Sequence, residues 1–87
     1  NKAVVAGKEI DLTVKETKTL VYIISNAGRT SSREHIINAI WGYDYFGDTR
    51  VVDTIIKRIR QKIITEDSRF EIQSVYGVGY KIEEKAT

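Results

Sequence analysis

Between Arg50 and Lys62 the chain reads RVVDTIIKRIRQK, with Arg50, Lys57, Arg58, Arg60 and Lys62 set against the single carboxylate of Asp53. That is a net charge of +4 in a chain whose total is +2, so the positive charge is concentrated in this segment. Val52, Ile55, Ile56, Ile59 and then Ile63 recur at helical spacing and mark one face for burial. At about 100° per residue, Arg50, Thr54, Lys57 and Gln61 turn the other way, with Arg58 on the shoulder. An apolar back and a cationic, hydrogen-bonding front suit insertion into the major groove of duplex DNA. Taken alone, such a helix is ordinarily no more than a solvated basic face. The elements around it decide between the two readings.

Each side chain on that front has its own chemistry. An arginine aimed at base edges binds guanine O6 and N7 bidentately, which is the role expected of Arg58; Lys57 serves better as a point charge on phosphate. Thr54 is short and sits mid-face, where its methyl can meet a thymine methyl and its hydroxyl a base edge. Asp53 would be repelled by DNA, so a salt bridge within the protein is its expected role. Elsewhere, Trp41 either packs in the core or also offers its indole N–H to a phosphate. Arg33 either reaches phosphate or pairs with Glu34 or Asp48.

The positioning elements read as follows. Ala3–Leu12 is two short strands around Gly7-Lys8. Thr13-Val14-Lys15-Glu16 is a T-x-x-E capping box opening a first helix, with Leu20, Ile23, Ile24 and Ala27 inward and Gly28 as its stop. Ser31-Ser32-Arg33-Glu34 forms a second capping box, and the helix it opens carries Ile36, Ile37, Ile40 and Trp41 on its apolar side and ends at Gly42. Tyr43–Asp48 is an aromatic loop, after which Asp48 or Thr49 caps the basic third helix. Thr65–Arg69 is polar connector, and Phe70–Val75 and Tyr80–Glu83 are strands joined across Tyr76-Gly77-Val78-Gly79. The order is α+β: short N-terminal antiparallel strands, three helices and a C-terminal hairpin. A helix-turn-helix followed by a hairpin where a wing would project is a winged helix, with the third helix in the major groove and the hairpin at the adjacent backbone or minor groove. Ser74 and Tyr76 are the candidate contacts on the wing.

Other classes of function find little support. His35 is the only imidazole, there is no cysteine, and the carboxylates are scattered, so neither a catalytic constellation nor a metal site is expected. Gly77-x-Gly79 neither opens a helix nor precedes Lys-Ser/Thr, which argues against a nucleotide loop. No cofactor is implied. Hydrophobic runs are far shorter than a membrane span. The 87 residues suffice for one domain with one modest core. The start at Asn1 reads as a fragment of a longer chain.

These pieces resemble the C-terminal DNA-binding domain of OmpR/PhoB-type response regulators. The resemblance rests on Leu12-Thr13 with Glu16, Ser32-Arg33-Glu34 leading to Trp41-Gly42, Val52-Asp53 with Ile56, Arg58, Ile59 and Arg60, and Ser74-Val75-Tyr76-Gly77-Val78-Gly79-Tyr80. Each alone is weak; in this order and spacing they cover nearly the whole chain. The resemblance implies a cytoplasmic bacterial transcription factor in a two-component phosphorelay, with a receiver domain upstream that a sensor histidine kinase phosphorylates. Neither that receiver nor, by this comparison, the family's first N-terminal strand is present. It implies binding to direct repeats of double-stranded DNA, and an approach to RNA polymerase through the Tyr43–Asp48 loop. Off DNA the fragment is expected to be monomeric. Arg50 resembles a phosphate-contacting position, and Arg60 matches another, although the helical wheel turns it to the flank. The chain departs from the pattern at Thr17 and Thr19, where Phe and Leu are usual, at Ile55 in place of a frequent His, and at Tyr76 in place of Arg or Trp. The rival reading is a protein-interaction winged helix whose basic face docks on an acidic partner.

Overall fold

The computed structural model describes residues 2–5, 8–64 and 68–85. Chain order is β1 (Lys2–Val5), β2 (Lys8–Asp11), α1 (Val14–Ser25), β3 (Ser31–Ser32), α2 (Arg33–Ile40), α3 (Arg50–Ile63), β4 (Phe70–Val75) and β5 (Gly79–Glu84). This is the winged helix-turn-helix expected, with an N-terminal antiparallel pair, three helices and a C-terminal hairpin. The turn expected at Gly7-Lys8 and part of the Thr65–Arg69 connector lie outside the described residues.

The first capping box forms in full. Glu16 donates its amide to Thr13 Oγ1 at 3.1 Å, and Thr13 donates its amide to Glu16 Oε1 at 2.9 Å. The inward face of α1 differs from the expected stripe. Glu16, Thr19, Leu20 and Ile23 are buried, whereas Ile24 and Ala27 are exposed. Glu16 is drawn inward by Lys62 of α3, which centres the buried arc on residues 16, 19, 20 and 23 and turns Ile24 to its flank. Ala27 lies past the helix end, since Asn26 caps α1 by donating its amide to Ile23 O at 3.1 Å. Gly28, with φ +82°, follows in the turn and donates its amide to Ile82 O, tying α1 to β5.

The second capping box expected at Ser31–Glu34 does not form, because the cap lies one residue later and the third helical position is His35. Ser32, not Ser31, caps α2 by accepting the His35 amide at 3.1 Å. Ser31 is instead buried in β3, a strand the sequence reading did not contain, opposite Tyr80 of β5. Two residues are too few to show a period-2 pattern. The pairing depends on Gly79, because a Cβ there would lie 2.0 Å from the Ser31 carbonyl oxygen. Sheet order is β3-β5-β4, all antiparallel, with Ile72 opposite Ile82 and Val75 opposite Gly79.

Thr49 occupies the cap position of α3 but makes no side-chain cap bond; Asp48 Oδ1 takes the Arg50 amide at 2.8 Å. The back of α3 is Val52, Ile55, Ile56, Ile59 and Ile63, all buried as the periodicity requires. They meet Leu12, Leu20, Ile23, Ile36, Ile37, Ile72, Tyr80 and Ile82 in one core. Full burial of an aliphatic side chain contributes about 1.5–3 kcal/mol, so this layer holds α3 against α1, α2 and the apolar side chains of the sheet. Ile55, where the family often has His, is one of these core residues.

Candidate nucleic-acid interface

With its back buried, α3 presents Arg50, Thr54, Lys57, Arg58 and Gln61 to solvent. Lys57 and Arg58 form no hydrogen bond or ion pair among the described residues. The other cations of the segment are engaged. Arg50 pairs with Asp48, Nη2 to Oδ2 at 2.6 Å, and that guanidinium holds the Asp48 carboxyl below its ordinary range. The pair lies at the surface, with the Arg50 side chain 83% exposed, so phosphate can compete for Arg50. Lys62 turns inward to Glu16 at 2.6 Å. Burial alone would raise the Glu16 carboxyl, but hydrogen bonds from Lys62 and the Thr13 amide, with the charges of Lys62 and Arg58, outweigh it and leave its pKa lowered.

Arg60 is on the flank, as the helical wheel indicated. It donates Nε and Nη2 to Ile72 O at 3.1 and 2.6 Å, and Nη2 also to Ser74 Oγ at 3.0 Å. Two sequence candidates, Arg60 and Ser74, are thus brought together, binding the side of α3 to β4. Tyr76 stands at the tip of the hairpin, 101% exposed. Its turn is closed by the Val78 amide donating to Val75 O at 3.0 Å, and Gly77 supplies a φ of +72°.

Arg33 pairs with neither Glu34 nor Asp48. Its Nε donates to Asp53 Oδ1 at 2.9 Å, an ion pair across two helices. That hydrogen bond raises the Arg33 pKa further. Asp53 therefore has the intraprotein salt bridge expected of it, with a partner twenty residues away. Tyr80 donates its hydroxyl to the same carboxylate oxygen, and the guanidiniums of Arg33 and Arg60 lie 5.3 and 5.5 Å from its ring centroid. Burial first, and the Asp53 hydrogen bond second, raise the Tyr80 phenol. Sequence reasoning did not single out Tyr80 as part of the site. Its signal was an aromatic residue on the strand leaving the wing, indistinguishable from ordinary core.

Trp41 is half-buried at the end of α2. Lys15 of α1 sits 4.9 Å from its ring centroid and donates Nζ to Ile40 O at 3.2 Å. A cation over the indole face adds about 0.5–1 kcal/mol at such a site and places positive charge beside Trp41. Spacing alone could not reveal this contact between different helices. His35 is exposed. Among the described residues there is no group of three or more metal-ligating side chains, and no helix is long and apolar enough to cross a membrane.

Comparison with known proteins agrees with this geometry. Residues 7–82 match the family described as "Transcriptional regulatory protein, C terminal". The transcriptional regulatory protein SrrA of Staphylococcus aureus is 38% identical over 82 residues, which cover 92% of this chain and 34% of that protein. The chain thus spans about a third of the length of the curated relatives it matches. Among solved structures, the DNA-binding domain of Bacillus subtilis CssR is 35% identical with a TM-score of 0.80, covering 95% of this chain and 100% of that one. The response regulator DrrB of Thermotoga maritima, an OmpR/PhoB homologue, is 38% identical with a TM-score of 0.75, over 87% of this chain and 35% of that one. From the match over residues 7–82, the likeness to these regulators and the winged helix that carries it, the chain belongs to the OmpR/PhoB-type family of transcriptional regulatory protein C-terminal domains.

Proposed function

We propose that this chain binds double-stranded DNA sequence-specifically, as the output domain of a two-component response regulator controlling transcription. The observation that carries the reading is the front of α3: Thr54, Lys57 and Arg58 are exposed and, among the described residues, make no ion pair, on a helix whose back is buried. In this reading α3 enters the major groove, Arg58 reads a guanine edge, Thr54 meets a thymine methyl, and Lys57 holds a phosphate. Arg50 and the N-terminal amides of α3 take another phosphate, with Asp48 released. Trp41 offers its indole N–H to the backbone, and Tyr76 on the wing rests against the sugar and donates its hydroxyl. Arg60 acts through Ser74, holding the wing, and Arg33 acts through Asp53.

Tandem binding to direct repeats by a fragment that is monomeric off DNA is part of the proposal, as are an upstream phosphorylated receiver, a cytoplasmic setting and an approach to RNA polymerase through the loop before α3. The last is supported by Tyr43 and Phe46, which are 87% and 95% exposed on that loop. Neither side chain is buried in the core, so both are available to a protein partner.

Fluorescence anisotropy on a random duplex across a salt series tests the reading. Each phosphate contact contributes a slope of about −0.9 in log K against log salt. Steep weakening with salt is the expected result. No binding at low salt would overturn the DNA reading in favour of a basic face that docks on an acidic protein.

A further inference from the structure

The polar groups between α2, α3 and the hairpin converge on Asp53. Its Oδ1 accepts from Arg33 Nε of α2 and from the Tyr80 hydroxyl of β5. Arg33 also donates its backbone amide to Val78 O in the wing turn at 3.4 Å. From the other side, Arg60 of α3 reaches Ile72 O and Ser74 of β4 and lies 5.5 Å from the Tyr80 ring centroid. The helix that faces outward and the hairpin that projects beside it are therefore joined by directed bonds at two places, Asp53 to Tyr80 of β5 and Arg60 to Ile72 and Ser74 of β4.

Direction is the point. The apolar layer beneath α3 drives association but is non-directional, and the backbone bonds of β5 run to β3 and to Gly28 rather than to α3, so the angle between hairpin and third helix rests on the side-chain bonds of Asp53 and Arg60. Hydrogen bonds weaken steeply as their angle departs from linear, so two donors sharing one carboxylate oxygen fix orientation as well as distance. A charged acceptor makes such bonds roughly twice as strong as neutral ones. Asp53 also sits immediately before Thr54, at the edge of the exposed front, where a bare carboxylate would repel phosphate. Arg33 and Tyr80 engage it, and the Arg33 charge offsets its own, while its side chain stays 38% exposed.

We propose that Asp53 is a positioning residue for DNA binding, tying Tyr80 and Arg33 to α3 so that the wing and the third helix meet the duplex as one rigid body. This rests on the reading of both elements as DNA-contacting. Removing the tie leaves the core intact but lets the wing swing, so that specific binding, which needs both contacts in register, suffers more than binding to random duplex.

The chain has no cysteine, which allows a spin-label pair to be placed at will. Labels at the exposed positions Gln61 of α3 and Val78 of the wing turn report the helix-to-wing distance without DNA. Tyr80→Phe removes the hydroxyl and keeps the ring; Asp53→Asn keeps an acceptor and removes the charge. In both variants the distance distribution should broaden or shift while thermal melting remains cooperative. Affinity for a selected duplex should fall by up to about tenfold to a hundredfold, the ceiling set by one hydrogen bond to a charged group, with random-duplex affinity much less affected. An unchanged distribution in both variants would overturn the proposal. So would a broadened distribution with full affinity for the selected duplex, or loss of cooperative melting in both, since the network would then hold the fold and not the angle. Failure of the parent protein to bind any duplex would sink the DNA reading instead, and the labels, measured without DNA, tell the two failures apart.

Discussion

Lys62→Met separates charge that holds the fold from charge that faces a ligand. By sequence Lys62 belongs to the basic segment, yet its ammonium lies 2.6 Å from Glu16 Oε1, and Glu16 is 2% exposed. Removing one partner of a buried pair costs about 3–5 kcal/mol, because the remaining charge stays buried. The Lys62 side chain is 36% exposed, and Glu16 keeps the Thr13 amide, so the figure is discounted to about 2–3 kcal/mol. In a domain of this size each kcal/mol moves the melting temperature by about 4–8 °C, giving a fall of about 10–20 °C at neutral pH. The acid side carries the sign. The Glu16 pKa is lowered below 4.5, so its stabilisation is present above that value and is lost as pH falls through the folded-state pKa. Lys62→Met should therefore melt far below the parent at pH 7, with the gap narrowing in acid. Calorimetry at several pH values measures this, and anisotropy on random duplex should give an unchanged salt slope. A melting change under about 2 °C, or a salt slope shallower by one contact, would refute the reasoning.

Arg58→Ala should cost about 1–3 kcal/mol more on a selected site than on random duplex, whereas Lys57→Ala should weaken both alike and shallow the slope by about one contact. Equal losses on both duplexes for Arg58→Ala would make it a phosphate contact. Gly79→Ala should destabilise by about 1–3 kcal/mol or more, since its Cβ would meet the Ser31 carbonyl at 2.0 Å and part β3 from β5; an unchanged denaturation midpoint would contradict that. Tyr76→Arg should tighten binding to sites flanked by an A-tract, and Tyr76→Phe should lose no more than about 0.5–1.5 kcal/mol. If neither variant changes affinity on either flank, the wing does not touch DNA.

The sequence was most legible where local chemistry is self-sufficient. The Thr13–Glu16 box, the five apolar positions of α3 and the glycine turn at Gly77 each depend on residues within a turn or two of themselves. It was misleading where a distant partner decides. Ile24 is turned outward because Glu16, drawn to Lys62, rotates the buried arc of α1. Ser31 looks like a cap in local sequence, because nothing near it indicates that Tyr80 will pair opposite it. Of the candidate site, the α3 front and the Tyr76 tip were readable from periodicity and turn chemistry. The Arg33–Asp53–Tyr80 cluster was not, because its members are separated by twenty and twenty-seven residues. Thr17 and Thr19 depart from the usual Phe and Leu and have buried hydroxyls without a partner in α1, for which the structure offers no compensating contact.

The central claim is that the front of α3 reads duplex DNA in sequence. Selection of bound sequences from a random duplex pool tests it most directly, because one measurement returns both the site and its geometry. The account predicts enrichment of a short motif repeated head-to-tail, with half-sites about one helical turn apart, roughly 10–11 bp. Enrichment of a strictly palindromic site would contradict the tandem arrangement, and a pool that emerges no different from its input would contradict the claim itself.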